Sequence, residues 1–217
     1  MGWTLASSVG FCEVGGEPVF LDLSRDRYFG LSGEDRAAFE RLRAGEQNDS
    51  AAMTRLVATG LLRRCDGLTT IEPASTDVPD RDLSAASDGS FSLRMAASAA
   101  LALRRARRAM RPDRIGETIA KARRQRAAID TQHLERDAEA VAVAYAANRW
   151  IDAIPQRCLI DALALDHILL SRRLRSQLVF GVRLSPFRAH CWLQTSATVL
   201  TGTAAEARNF TPILVVT

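Results

Sequence analysis

Cys158 and His190 are the two residues whose types and surroundings could perform nucleophilic chemistry. Cys158 follows Pro155 and opens an apolar run with helical spacing, formed by Leu159, Ala162, Leu163, Leu165, Ile168 and Leu169. The positive end of a helix dipole favours the nucleophilic thiolate at that position. His190 stands in the alternating segment AHCWLQ, which is typical of a strand. A fold that joins these two side chains would create the Cys–His pair of a hydrolase.

Spacing alone leaves a structural interpretation open for both residues. A lone cysteine on a helix is more often a small core residue, and a lone histidine on a strand is more often structural. Trp192 lies two positions from His190 and therefore shares its strand face. That tryptophan is either core packing or a wall of the site, whereas Cys191 faces the other way and is expected in the core.

The sequence blocks around these residues resemble the B proteins of lasso-peptide biosynthesis, which are leader peptidases. The resemblance is carried by RCLIDALAL, GVRLSPFRAHCWLQ and NFTPILVV, and it is close over the last third of the chain. It implies a transglutaminase-like fold, a Cys–His–Asp triad and removal of a leader peptide from a ribosomally made precursor. Cys158 matches the nucleophile and His190 matches the base.

One residue departs from the pattern of that family. The family aspartate follows the histidine on the next strand, where this chain has Gly202. Glycine has no side chain with which to orient an imidazole. Asp161 and Glu206 are possible substitutes, although neither matches the motif.

Composition restricts the class of protein. The chain has 217 residues, 47% of them hydrophobic, which is enough for a packed core in one large or two small domains. Its four cysteines and three histidines show no zinc-site spacing, and no metal or cofactor is expected. No signal-peptide pattern and no apolar run of membrane-spanning length is seen. A cytoplasmic protein with reduced thiols, without a membrane segment, is expected.

Residues 1–72 are predicted to form a winged-helix-like domain. Strands are expected over 9–31, with a polar tip at Ser24–Arg27. Ser32, with Asp35 three residues on as an approximate capping box, is expected to cap a helix from Gly33 to Arg43, and Ser50 to cap a second helix through Ala58. Segments 61–64 and 68–71 are expected to close the domain as a hairpin. By the resemblance this is a PqqD-like recognition element, and the leader adds as a strand beside Tyr28, Phe29 and Leu31. The alternative is a small structural subdomain.

The remaining chain is predicted to be a linker followed by a peptidase domain. Residues 73–90 have linker composition, with prolines, serines and aspartates. Residues 91–217 are expected to give three helices, then the Cys158 helix and an antiparallel sheet with strands at 178–184, 190–194, 198–200 and 212–216. The predicted fold class is therefore α+β, with a transglutaminase- or papain-like C-terminal domain.

Arginines crowd the first two helices of the middle segment. No aromatic residues are interleaved with them, so a protein partner is favoured over nucleic acid. The resemblance implies two partners, the precursor peptide and an ATP-dependent, asparagine-synthetase-like macrocyclase. Two functions are considered, a leader-cleaving cysteine peptidase and a non-catalytic leader-binding adaptor. A Cys158–His190 pair within hydrogen-bond reach would favour the peptidase, and side chains that face apart would favour the adaptor.

Overall fold

The structure is a computed structural model that describes residues 2–46, 51–67, 70–83, 89–129, 135–149 and 158–217. The N-terminal part contains β1 (Gly2–Leu5), β2 (Val9–Val14), β3 (Glu17–Asp22), β4 (Arg27–Gly30), α1 (Gly33–Arg43), α2 (Ala51–Ala58) and β5 (Leu62–Cys65). The remainder contains β6 (Arg81–Asp82), α3 (Leu93–Ala109), α4 (Pro112–Ala127), α5 (Glu135–Asn148), α6 (Cys158–Ser171), β7 (Gln177–Leu184), β8 (Phe187–Gln194), β9 (Thr198–Val199), α7 (Ala204–Ala207) and β10 (Thr211–Val216).

Strands β2, β3 and β4 form an antiparallel meander, as the sequence predicts. Side chains alternate between its two faces, because successive residues of a strand point in opposite directions. Phe11 and Phe20 lie on one face and contact Phe39 of α1, with ring centroids 5.3 and 5.0 Å from the Phe39 ring. This aromatic group anchors α1 and α2 on the sheet.

The opposite face of the meander packs against the C-terminal part of the chain. Cys12, Val19 and Leu21 belong to the same buried cluster as the residues of α3 and α6. Gly10 permits the close approach of β2 to β10, since a Cβ there would lie 2.2 Å from the carbonyl oxygen of Ile213. Both faces of the N-terminal sheet are therefore buried, one by its own helices and one by the rest of the chain.

The predicted closing hairpin is the main correction to the N-terminal part. Strand β5 pairs with β1, and Leu62 stands opposite Leu5. Of the predicted partner segment, residues 70–71 are not in a strand and residues 68–69 lie outside the described residues. β1 lies far from β5 in sequence, so no local turn pattern predicts the pairing. A winged helix is thus not confirmed.

The helix boundaries follow local signals with one exception. α1 begins after Ser32 as predicted, but the Ser32 side chain accepts no capping hydrogen bond. Asp35, which was expected to complete a capping box, instead accepts hydrogen bonds from Arg55 of α2. Ser50, the predicted cap of α2, lies outside the described residues.

The C-terminal sheet has the order β10-β7-β8-β9-β6 and carries α6 on one face. The α6 helix is buried from Asp161 to Asp166 and again at Ile168 and Leu169, which is the pattern of a helix enclosed by other elements, and its two buried aspartates pair with arginines. α3, α4 and α5 surround it on the side away from the sheet. The predicted helices and strands of this region are all present, and the structure adds the short α7. The fold therefore combines helices with mainly antiparallel sheet, as predicted.

The predicted linker is partly ordered structure. Arg81 and Asp82 form β6, an edge strand that runs parallel to β9. Upstream, Ala74 donates to the backbone of Phe11, and Thr76 donates to Gln177 of β7. These bonds attach the segment to both halves of the molecule. The sequence does not predict this strand, because it is only two residues long and the segment around it is rich in proline and polar residues.

A buried ion pair fixes α4 to α6. Arg126 is 0% exposed and pairs with Asp166, while its Nε donates to the Ser176 carbonyl oxygen at 2.9 Å. Burial raises the pKa of Asp166, and the guanidinium opposes that shift.

Among the helices that the structure describes, none is both long and apolar enough to cross a bilayer.

Candidate active site

Cys158 is the first residue of α6, as the sequence predicts. It is half-buried against the main core cluster, while Pro155 and the rest of 150–157 lie outside the described residues. Burial raises the pKa of the Cys191 thiol, and Cys158 adds to that shift. Burial also raises the pKa of Tyr28, with further contributions from Cys191, Asp26 and Cys158. Cys158 and Tyr28 of β4 both pack against the core cluster that contains Cys191.

His190 projects from the other face of β8. Its ring stacks on Trp192 and Phe210, with centroids 5.8 and 5.1 Å apart. Trp192 and Phe210 form a separate small cluster with Val179 and Val199. The predicted shared face of His190 and Trp192 is confirmed by this stacking, and the buried Cys191 lies opposite as expected.

The structure does not bring the thiol and the imidazole together. Cys158 belongs with the residues on the Cys191 face, whereas His190 belongs with those on the Trp192 face. No hydrogen bond joins the two side chains in the part of the chain that the structure describes. Nε2 of His190 is buried without a hydrogen-bond partner there. The expectation of an assembled Cys–His pair is thus not met in this conformation.

Gly202 lies beside the histidine, where the resemblance places the missing carboxylate. A Cβ on residue 202 would lie 3.7 Å from Nε2 of His190. The backbone there has φ +75°, in the left-handed region that favours glycine. Asp161, one of the two possible substitutes, accepts from the Tyr145 hydroxyl at 2.8 Å and pairs with Arg149. That carboxylate is engaged on α5 and is not available to the histidine.

Burial and two charged side chains act on the pKa of His190. Burial lowers the pKa of His190 below its ordinary value, the Glu206 carboxylate opposes the shift, and Arg188 reinforces it. The balance keeps the ring neutral over more of the pH range than a free histidine. A neutral imidazole is the form that can accept a proton from a thiol.

A groove runs between the N-terminal sheet and the β7–β8 hairpin. Its volume is about 520 Å³, and it is lined by Glu17, Pro18, Val19, Tyr28, Phe29, Gly30, Leu184 and Phe187. The ring of Tyr28 meets Phe187 edge-on, with centroids 5.4 Å apart. Of the predicted docking residues, Tyr28 and Phe29 line this groove, while Leu31 packs against the cluster under α1 and α2. Within the described residues, β4 pairs only with β3, so its other edge is open.

The sequence did not predict that Tyr28 and Cys158 share a core. They lie in segments far apart in the chain, and no periodicity or motif links them. Both side chains pack against the same buried cluster, which only the assembled fold defines.

The remaining candidate groups have structural partners or lie outside the site. Nε2 of His167 is 2.7 Å from Nη1 of Arg105 on α3, and His133 lies outside the described residues. Among the described residues, no group of three or more His, Cys, Asp or Glu side chains is placed to hold a metal ion. The four cysteines are free thiols.

Comparison with known families assigns the C-terminal part of the chain to a superfamily. A model of the transglutaminase-like superfamily matches residues 91–215, from α3 to β10. The chain belongs to the transglutaminase-like superfamily. This superfamily includes cysteine proteases and acyltransferases, so thiol chemistry at the head of α6 is compatible with membership. No curated protein and no solved structure matches the chain.

Proposed function

We propose that this transglutaminase-like protein is a cysteine peptidase that removes the leader from a ribosomally made lasso-peptide precursor. Cys158 is the nucleophile, and His190 is the general base. The observation that carries the proposal is the position of Cys158 at the start of the enclosed helix α6, inside the segment that matches the superfamily. The sequence blocks that resemble the lasso B proteins surround these same two residues.

The chemistry follows from the helix terminus. The Cys158 sulfur attacks the scissile carbonyl carbon and forms a tetrahedral oxyanion. Backbone N–H groups at the head of α6 point towards that oxyanion, because the first turn of a helix has no internal acceptors for them. The imidazole takes the thiol proton and returns it to the leaving amine. Water then hydrolyses the thioester and releases the leader as a carboxylate.

Substrate binding is assigned to the groove beside β4. An extended leader would satisfy the open backbone groups of this edge strand, and Tyr28 and Phe187 would contact its side chains. Tyr28 of this groove and Cys158 pack against the same core cluster. The precursor peptide and an ATP-dependent macrocyclase are the partners proposed. The free thiols suit work in the reducing cytoplasm.

A non-catalytic leader-binding adaptor is the second candidate, and one observation favours it. Cys158 and His190 face opposite sides of β8, whereas proton transfer needs the two atoms within ~2.6–3.2 Å. Cleavage therefore requires the thiol and the imidazole to come together. An adaptor needs only the β4 groove, which is already formed.

Incubation with the precursor encoded beside this gene separates the two candidates. The full chain is mixed with the precursor, and the products are read by mass spectrometry. Separate leader and core peptides that appear with more than one turnover per protein molecule support the peptidase. Binding of the leader without any cleavage, with and without the macrocyclase, supports the adaptor.

A further inference from the structure

The absent side chain at Gly202 leaves a small space between an imidazole and a carboxylate. A Cβ on residue 202 would lie 3.7 Å from Nε2 of His190 and 3.9 Å from Oε2 of Glu206. Both polar groups are therefore within 4 Å of the same point. That point is where the family pattern would begin an aspartate side chain.

The imidazole is held in place but lacks a partner. Its ring is stacked on Trp192 and Phe210, which fixes the plane of the ring. Nε2 is buried, and within the described residues it makes no hydrogen bond. A buried polar nitrogen left without a partner costs about 1–3 kcal/mol. When Nε2 carries the proton, an acceptor that reaches the space above Gly202 removes that cost.

Glu206 is positioned to be that acceptor. It lies in the short helix α7, where its backbone N–H donates to the Thr203 hydroxyl at 3.1 Å. The N–H of Ala204 donates to Asp82 of β6 at 2.8 Å, which ties the start of α7 to the sheet. The Glu206 carboxylate forms no ion pair with an arginine or lysine of the described residues. Its side chain is exposed and can change rotamer.

The other charged groups on this face are cations. Arg188 lies on the same strand as His190 and reinforces the lowering of its pKa. The guanidinium of Arg183 lies 5.8 Å from the Phe210 ring centroid, on the same side of the sheet. Neither cation can accept a hydrogen bond from an imidazole. Glu206 is the carboxylate that interacts with His190 from this side.

We propose that Glu206 is the positioning residue of His190, taking the part that an aspartate at position 202 plays in related chains. Its carboxylate accepts a hydrogen bond from Nε2–H, directly or through one water in the space above Gly202. This holds the Nε2–H tautomer and leaves Nδ1 as the atom that exchanges a proton. The inference rests on the proposed function for its catalytic meaning, but the pairing itself does not depend on turnover.

Histidine titration by NMR tests the pairing in the full chain. Replacing His133 and His167 by glutamine leaves His190 as the single histidine, so its signals need no further assignment. In this background Glu206→Gln should lower the pKa of His190 by about half a unit or more, because a stabilising negative charge is lost. Arg188→Gln should raise it. Glu117→Gln on α4 makes the same charge change as Glu206→Gln away from this face and should leave it unchanged.

The imidazole tautomer gives a second readout that a merely structural role would not move. At high pH the nitrogen-15 shifts of the parent protein should report Nε2–H, whereas Glu206→Gln should report a mixture of tautomers. An unchanged pKa together with an unchanged tautomer in Glu206→Gln would overturn the inference. The inference would also be overturned if the His190 pKa fell no further in Glu206→Gln than in the Glu117→Gln control.

Kinetics separates this inference from the proposed function. With an active enzyme, Glu206→Gln should reduce kcat by about tenfold with little change in KM, and Gly202→Asp added to it should restore kcat. If the titration shifts but no variant cleaves precursor, the Glu206–His190 pair stands and the peptidase proposal fails. If precursor is cleaved but neither titration nor kcat depends on Glu206, the peptidase proposal stands and the pairing fails.

Discussion

Tyr28 of β4 and Phe187 of β8 meet edge-on, with ring centroids 5.4 Å apart, and join the N-terminal sheet to the sheet that carries His190. The contact forms one end of the groove beside the open edge of β4. Phe187 is 53% exposed, so much of its ring remains available to a peptide. The two rings link the expected docking edge to the transglutaminase-like part of the chain.

Replacing Phe187 should weaken leader binding without unfolding the protein. Phe187→Ser removes an apolar surface worth about 1–2 kcal/mol on burial, so the Kd for a fluorescent leader peptide should rise about tenfold. Phe91→Ser is the matched control, because Phe91 is 63% exposed and does not line this groove. Equal affinity in the two variants would place the docking site elsewhere.

Loss of the thiol should stop cleavage and leave leader binding intact. Cys158→Ala removes the nucleophile from the head of α6, while the groove lining at β4 is unchanged. Mass spectrometry should detect no separated leader, and the leader Kd should match that of the parent protein. Cys191→Ala is the control for loss of a nearby thiol and should retain cleavage. Parent-like cleavage by Cys158→Ala would remove the nucleophile assignment.

An aspartate at position 202 should orient the His190 imidazole and raise its pKa. Gly202→Asp places a carboxylate close to Nε2, so the pKa of His190 should rise and kcat should increase. The backbone φ of +75° makes the substitution cost about 1 kcal/mol of stability. Gly202→Asn has the same shape without the charge and should raise neither quantity. A Gly202→Asp variant that folds normally without a rise in the His190 pKa contradicts this geometry.

Acid should destabilise the protein partly through His190. Its folded pKa is lowered from 6.5, so the unfolded chain binds the proton more readily. Above pH 6.5 the titration of His190 does not reduce the free energy of unfolding. As the pH falls through and below 6.5, the unfolded chain takes up the proton first and the free energy of unfolding decreases. Urea unfolding at pH 7.5 and 5.5 should show a smaller loss in His190→Gln than in the parent. Identical losses would show that His190 does not carry this dependence.

Breaking the buried ion pair should be severe. Arg126→Ala leaves Asp166 buried without its cation and leaves the Ser176 carbonyl without its donor, which should cost about 3–5 kcal/mol. Arg124→Ala on the same helix is exposed and should change stability by less than about 0.5 kcal/mol. Urea unfolding of both variants gives the comparison. If Arg126→Ala has no soluble form, the double variant Arg126→Met with Asp166→Leu should recover folding.

Local patterns predicted most elements correctly. Ser32 and Gly45 bound α1, the apolar run after Cys158 gives α6, and alternation gives β7, β8 and β10. These signals lie within a few residues of what they determine. The pairing of β1 with β5 and of β6 with β9 joins distant segments, and short strands carry too little pattern to predict a partner.

The relation of Cys158 to His190 could be predicted only in part. Alternation correctly separates Cys191 from His190 and Trp192. It cannot show which face of β8 is covered by α6, because Cys191 and Trp192 are both buried and apolar. Both sides of this strand resemble a core face, so the side that receives the helix depends on the whole sheet.

The burial of both faces of the N-terminal sheet fixes how far the docking edge is from the thiol. Cys12 and Leu21 share a core with α6, so β4 cannot swing away from Cys158 as it could on a flexible tether. A leader anchored on β4 then reaches the thiol after a set number of residues. One residue inserted into the precursor between the anchor and the cleaved bond should therefore leave the leader fragment at its original length. The extra residue should appear at the N-terminus of the core peptide.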